Sequence, residues 1–313
     1  MQDLEALHRR ATRAFAGQSP DIAIARVRAI VGTANLPATF EGELAKSALD
    51  KLQNAGDRPT PRELAALELM LRMMRPAPKV SKAGIANLNE PEFEQAFPGW
   101  STFRDLFAKV GPSIGRIDCG KEPAGTGFLI APDVLVTNRH VLEKISRGTC
   151  LLEEGQAVVG FRWLADDSET PEPITAVIAF DEEFDIALLR VKPQAGRMPL
   201  KLAADAPAVE RDIAVIGHPY DDQVNNPMFT RTIFGDIWGV KRAAPGEVTF
   251  LSQAKTIAGH DCSTLGGNSG SPVLALDTAE VVGLHFGGSF LWRNEAVSAP
   301  ALAAFVNKHV QIA

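Results

Sequence analysis

Three separated stretches of this chain carry side chains that can act on a carbonyl. In GTGFLIAPDVLVTNRHVL, two short apolar runs flank Ala131-Pro132-Asp133, and His140 follows the second. In FDEEFDIALLRV, Asp185 stands immediately before Ile186 to Leu189, so a carboxylate lies at the mouth of a buried strand. The third stretch is HDCSTLGGNSGSPVL, where Gly266, Gly267 and Gly270 surround Ser269. Attack by a hydroxyl on an amide carbonyl builds negative charge on oxygen. Backbone N–H groups left unobstructed by glycine are well suited to stabilise it. Each stretch alone has a bland reading, as a lone histidine, a turn aspartate or a Gly/Ser turn; the three together point to nucleophilic chemistry at Ser269.

Such residues need a rigid frame. From about residue 101 the chain consists of short apolar runs separated by Gly, Pro and acidic turns. They include Val110 to Ile117, Val134 to Val136, Ala157 to Phe161, Ile174 to Phe180, Ile186 to Val191, Ile213 to Ile216, Thr232 to Val240, Val248 to Leu251, Pro272 to Leu276 and Val281 to Phe286. About a dozen short strands predict barrels or a sandwich. Helical spacing returns at Ala299 to Val310, through Leu302, Phe305 and Val306.

The first 76 residues read differently, as four short helices. Leu4, Leu7, Ala11 and Phe15 line one face; Ser19-Pro20 opens a second helix ending at Gly32; Thr39 caps a third that closes at Asn54 to Gly56; and Thr60-Pro61-Arg62-Glu63 is a capping box before Leu64, Leu67, Leu71 and Met74. Met70, Met73 and Met74 at this spacing read as core. Residues 77–104, rich in Pro, Ala, Asn and charge, read as a linker, with one short helix at most. The expected organisation is a helical bundle at 1–76, the linker, and a β domain at 105–313.

Composition narrows the function. The chain has 313 residues, 45% of them hydrophobic and 22% charged, and no apolar run long enough for a membrane span. Its net charge is -6, split between +3 over residues 1 to 80 and -9 over the rest, so no basic surface suits nucleic acid. The amino terminus lacks the continuous apolar core of an export signal, and a cytoplasmic protein is expected. Cys119, Cys150 and Cys262 are odd in number and widely spaced, which fits reduced thiols better than disulfides or zinc. His218 and His260 fall in no metal-ligand spacing and read as structural; neither metal nor cofactor is expected.

The motifs TNRHV, DIALL, STLGGNSGSPV and VVGLHFGG, in that order, resemble the bacterial trypsin-like serine peptidases, most nearly their glutamyl endopeptidase branch. The resemblance covers roughly residues 105 to 313. It implies a mainly β fold of two six-stranded β-barrels with the site between them and a C-terminal helix. It also implies Ser269 as nucleophile, His140 as general base and then acid, and Asp185 as the carboxylate fixing the imidazole tautomer. The N–H groups of Gly267 and Ser269 would form the oxyanion hole. The order His, Asp, Ser excludes the α/β-hydrolases, whose elbow is G-x-S-x-G; position 271 here is Ser. Thr264 and His285 match residues that contact an acidic side chain in glutamyl endopeptidases.

Two departures stand out. Where many animal members carry an acid before the serine, to pair with a newly cut amino terminus, this chain has the uncharged Asn268. About a hundred residues precede the expected barrel, whereas in glutamyl peptidases a free amino terminus can help to bind the substrate carboxylate. Regulation is therefore expected from the helical domain and a protein partner bound to it, an arrangement resembling bacterial defence proteases. The expected substrate is a protein or peptide. The competing reading is a latent or non-catalytic binding module. A quality-control protease of the high-temperature-requirement kind ranks lower, because the chain has no room for a peptide-binding domain after the barrel.

Overall fold

The computed structural model describes residues 4–15, 21–22, 24–25, 42–54, 58–86, 94, 97–153, 155–221, 225, 227–289 and 293–311. Alternating side chains along each strand divide the β region into three apolar clusters. In β8 (Ile186–Val191), Ile186 and Leu188 join a cluster drawn from both barrels, while Ala187, Leu189 and Val191 join a cluster confined to residues 117–191. Its first four residues, Ile186 to Leu189, are buried on both faces, which explains why they read as a continuous apolar run.

The first barrel closes in the order β3 (Ile114–Cys119), β4 (Glu122–Ala131), β5 (Val134–Asn138), β8, β7 (Glu172–Asp181) and β6 (Ala157–Gly160). The second closes in the order β9 (Asp212–Gly217), β12 (Pro272–Ala275), β13 (Val281–Ser289), β14 (Arg293–Ser298), β11 (Ile257–His260) and β10 (Arg242–Leu251). All pairings are antiparallel. Closure leaves no sheet edge in either barrel. The C-terminal helix α7 (Ala299–His309) buries Leu302, Phe305 and Val306 in the cluster shared by the barrels. The expected mainly β fold of two six-stranded barrels is therefore what the chain adopts.

Two expected features are corrected. Residues 100–110, read as linker and the approach to a strand, form helix α4 (Trp100–Val110), burying Trp100, Phe103 and Phe107. The Glu94 carboxylate accepts hydrogen bonds from the N–H groups of Gly99 (2.6 Å) and Ser101 (2.9 Å), satisfying orphan donors at its start. The run Thr232 to Val240, read as a strand, instead finishes helix α6 (Pro227–Phe234) and then turns. There Thr230, Ile233 and Phe234 are buried at helical spacing.

Of the N-terminal helices, the structure describes α1 (Leu4–Phe15), α2 (Gly42–Gln53) and α3 (Pro61–Met73). Most of the second expected helix and the Thr39 cap lie outside the described residues; Ile24 is described and buried. The capping box forms as expected: Glu63 N donates to Thr60 Oγ1 (3.3 Å), and Thr60 N donates to Glu63 Oε2 (2.6 Å). Leu7, Ala11, Leu49, Leu67, Met70, Met73 and Met74 share a fourth cluster, against which Phe229 of α6 also packs. Residues 77–86 run along the second barrel, with Ala77 N bonded to Ile233 O and Ala243 N to Pro78 O. Between them, β1 (Val80–Ser81) and β2 (Gly84–Ile85) make a two-stranded turn.

Candidate active site

His140 stands in the first turn of α5 (Arg139–Ile145), directly after β5. Opposite it, Asp185 closes the turn between β7 and β8 with φ = 55°, in the left-handed region that aspartate tolerates better than most residues. That backbone conformation lets one residue hold the histidine at several points. Asp185 Oδ2 lies 2.6 Å from His140 Nδ1, and Asp185 Oδ1 accepts the His140 backbone N–H at 2.8 Å. The Asp185 carbonyl accepts from Arg139 N (3.1 Å) and from Asn138 Nδ2 (3.0 Å). The aspartate's two carboxylate oxygens thus fix both the ring and the backbone of His140.

Ser269 lies in the turn before β12, and the first barrel pins that turn. Thr126 of β4 donates its N–H to Ser269 O (2.8 Å) and its hydroxyl to Gly267 O (2.8 Å). Gly270 N donates to His285 O (2.9 Å), tying the serine turn to β13. Gly270 has φ = 85°, and a Cβ there would overlap Thr126 O and Thr137 Oγ1, so only glycine fits. Gly267 has φ = 92°, with no room beside His218 O. The Gly266 carbonyl accepts Tyr220 N (2.9 Å), which turns the N–H of Gly267 the opposite way across a trans peptide. Neither Gly267 N nor Ser269 N donates to an acceptor among the described residues.

The histidine and serine turns meet at Gly125. A Cβ on it would come within 2.7 Å of Val141 Cγ2, next to His140, and within 2.9 Å of Ser269 O. The GTG at 125–127 therefore marks the crossing of the two barrels, a role not read from the sequence.

Thr264 and His285 are both buried behind this turn. The Thr264 hydroxyl donates to Asn294 Oδ1 (2.8 Å), and Asn294 Nδ2 donates to Cys262 O (2.6 Å). His285 Nδ1 lies 3.1 Å from His260 Nε2, with the rings edge to face. Burial, with a smaller contribution from His140, pushes the His285 imidazole down to about 3, so it is neutral across the physiological range. Burial likewise lowers His260 and His218 well below the ordinary histidine value. Asn294 and His260 thus pack against the two residues named from the sequence, and Asn294 stands in no motif. Among the described residues no group of three or more His, Cys, Asp or Glu could hold a metal ion.

Residues 125–284 match the model of the trypsin-like peptidase domain. The chain is 29% identical over 238 residues to a protein of Lysobacter enzymogenes named probable serine protease, covering 62% of each. It is 28% identical over 201 residues to a glutamyl endopeptidase of Staphylococcus aureus, covering 60% of this chain and 53% of that one. The chain thus spans between about half and three-fifths of the length of these relatives. Among solved structures, the active form of the Rv3671c protease from M. tuberculosis aligns at 22% identity and a TM-score of 0.47, covering 66% of this chain and 85% of that one. With just over half of its length matched by that domain and the two barrels closed around the match, the chain belongs to the trypsin-like peptidase domain family.

Proposed function

We propose that the chain is a serine endopeptidase that cleaves protein substrates through an acyl-enzyme on Ser269. His140 takes the hydroxyl proton as general base and returns it to the leaving amine. Asp185 holds the His140 ring with its proton on Nδ1, leaving Nε2 as the base. Gly267 N and Ser269 N stabilise the oxyanion. The observation that carries this reading is the two-point bond from Asp185 to His140, Nδ1 at 2.6 Å and N at 2.8 Å, set across the barrel crossing from Ser269.

A fluorophosphonate probe tests the chemistry. Labelling of the full chain that disappears in Ser269→Ala supports it; an unmodified chain that neither labels nor cleaves any member of a peptide library rejects it.

We further propose glutamate as the preferred residue before the scissile bond. The neutral His285 has a ring N–H to offer a carboxylate, Thr264 would turn its hydroxyl proton from Asn294 Oδ1 to the same ligand, and the S. aureus relatives are named glutamyl endopeptidases. Mapping the cut sites by mass spectrometry tests this, since cleavage with no enrichment of glutamate rejects it. The division into a helical domain at 1–76, a linker at 77–104 and a peptidase domain at 105–313 is part of the same proposal, with the helical domain as the place where a protein partner acts. The three cysteines Cys119, Cys150 and Cys262, all unpaired, suit a cytoplasmic location.

A further inference from the structure

The segment from His260 to Thr264 links β11 to the serine turn and carries two of the buried residues, His260 and Thr264, that cluster with His285 and Asn294. Asp261 is the one charged residue between 260 and 271, and it is 2% exposed. A lone buried carboxylate is costly unless paired. Its partners come from the N-terminal helices. Arg10 Nη1 of α1 reaches Asp261 Oδ2 at 2.8 Å, and Arg75 Nη1, just beyond α3, reaches the same oxygen at 2.7 Å. Glu247 N donates to Oδ1 at 2.8 Å. Burial alone would raise this carboxyl, but Arg75, Arg10 and Arg72 hold it well below the usual carboxylate range.

Arg72 makes the second attachment. It is 1% exposed, bonded through Nε to Glu68 (2.9 Å), and it donates from Nη1 to Cys262 O at 3.0 Å. That carbonyl also accepts Asn294 Nδ2, whose partner atom Oδ1 fixes the Thr264 hydroxyl. On the other side of Asp261, His260 meets His285. Arginines of the helical region therefore grip two of the three residues lying between His260 and Thr264. At the residue before the nucleophile, Asn268 donates Nδ2 to Leu265 O (3.2 Å) within its own turn and offers no charge to pair.

We infer that Arg10, Arg72 and Arg75 are positioning residues for substrate selection: docking of the helical region on Asp261 and Cys262 sets the pocket wall formed by Thr264, His285, His260 and Asn294. The inference rests on the peptidase reading above. It makes the helical region a built-in part of the specificity pocket, and release of that region by a partner would loosen selection before it touched the triad.

The test uses the full chain and peptides that differ only in the residue before the cut, Glu, Gln or Ala. Two variants remove the grip. Arg75→Gln takes one arginine from Asp261 and leaves Arg10 in place. Arg72→Met with Glu68→Gln removes both members of the buried Arg72–Glu68 pair, and Arg10, which also reaches Glu68 at 3.1 Å, keeps Asp261 as its partner at 2.8 Å. For each, the ratio of kcat/KM between peptides is read beside the rate of Ser269 labelling by a small fluorophosphonate that needs no pocket contact. The expected result is a loss of discrimination of about tenfold, carried by KM. Labelling should stay within about threefold of the unmodified chain, and Arg75→Lys should recover most of the discrimination. Discrimination unchanged in both variants overturns the inference. So does a parallel fall of labelling and cleavage, the mark of a merely structural role, or an unmodified chain that labels without discriminating. An unmodified chain that does not label at Ser269 overturns the peptidase reading itself, a distinguishable result.

Discussion

Asp185→Asn isolates the chemistry from the architecture. Asparagine tolerates the left-handed backbone at φ = 55° as aspartate does, so the turn between β7 and β8 should be kept. Its amide oxygen can still accept the His140 N–H that Oδ1 now accepts at 2.8 Å. The amide nitrogen then faces His140 Nδ1 from the position of Oδ2, 2.6 Å away, and brings donors where an acceptor was. Nδ1 must become the acceptor, the ring proton moves to Nε2, and the nitrogen needed as base is blocked. The stabilisation of the imidazolium is lost as well. Together these should cost about 10⁴ in kcat, or about 5 kcal/mol of transition-state stabilisation, with the fold intact. Single-turnover and steady-state cleavage of a peptide amide, beside a thermal melt, measures both. A variant that melts normally and keeps its rate within about tenfold would refute the tautomer argument and leave Asp185 as a structural turn residue.

Three further outcomes follow from the packing. Gly270→Ala should lose Ser269 labelling and at least about 2 kcal/mol of stability by chemical denaturation, because the left-handed backbone and the overlap with Thr126 O both oppose a Cβ. Acid should destabilise the fold through its buried histidines: His218, His260 and His285 stay neutral when folded, while unfolded histidines take up protons below about pH 6.5. The unfolded state then binds more protons, so stability falls as pH drops from about 6.5 toward 5, by up to about 1.4 kcal/mol per pH unit for each histidine; urea midpoints read the slope, and His218→Gln should reduce it. Lys241 donates to Gly111 O and Phe161 O with no carboxylate bonded to it among the described residues, and burial lowers it to about 7 from 10.5. Its contribution to stability should therefore rise between pH 7 and 10.5, where only the unfolded chain holds that proton, and Lys241→Met should abolish the rise in the same urea series.

Strand texture and the three motifs were legible because both are local. Ile186 to Leu189 of β8 is apolar throughout since it is buried on both faces, and the serine turn is glycine-rich since Gly267 and Gly270 need positive φ beside Thr126 and His218. What local reading missed were elements whose state depends on distant partners. Thr232 to Phe234 has the composition of a strand, yet it ends a helix because Ile233 and Phe234 pack into a cluster with Ala77, Val215 and Val248. Helix α4 carries Trp100, Phe103 and Phe107 at helical spacing in a stretch whose prolines and charges obscured it, and its cap, Glu94, lies five residues before Gly99.

The same distinction runs through the candidate site. Chemistry that must occur at one atom leaves a compact signature around that atom, as the chemistry proposed here does at His140, Asp185 and Ser269. Selectivity is spread over contacts that no spacing rule links: Thr264 is fixed through Asn294, 30 residues later, while Arg72 reaches Cys262 across 190. Nothing in RPAPK or HDCST announces that an arginine from the first belongs to the aspartate of the second. Only the fold brings them together, and it does so where burial makes an unpaired charge expensive, so the two segments depend on each other far more strongly than a surface ion pair would require. A helical region joined in that way cannot be detached without exposing or stranding Asp261. For this reason the boundary proposed near residue 76 is one across which buried charges are paired, Arg10 and Arg75 on one side with Asp261 on the other.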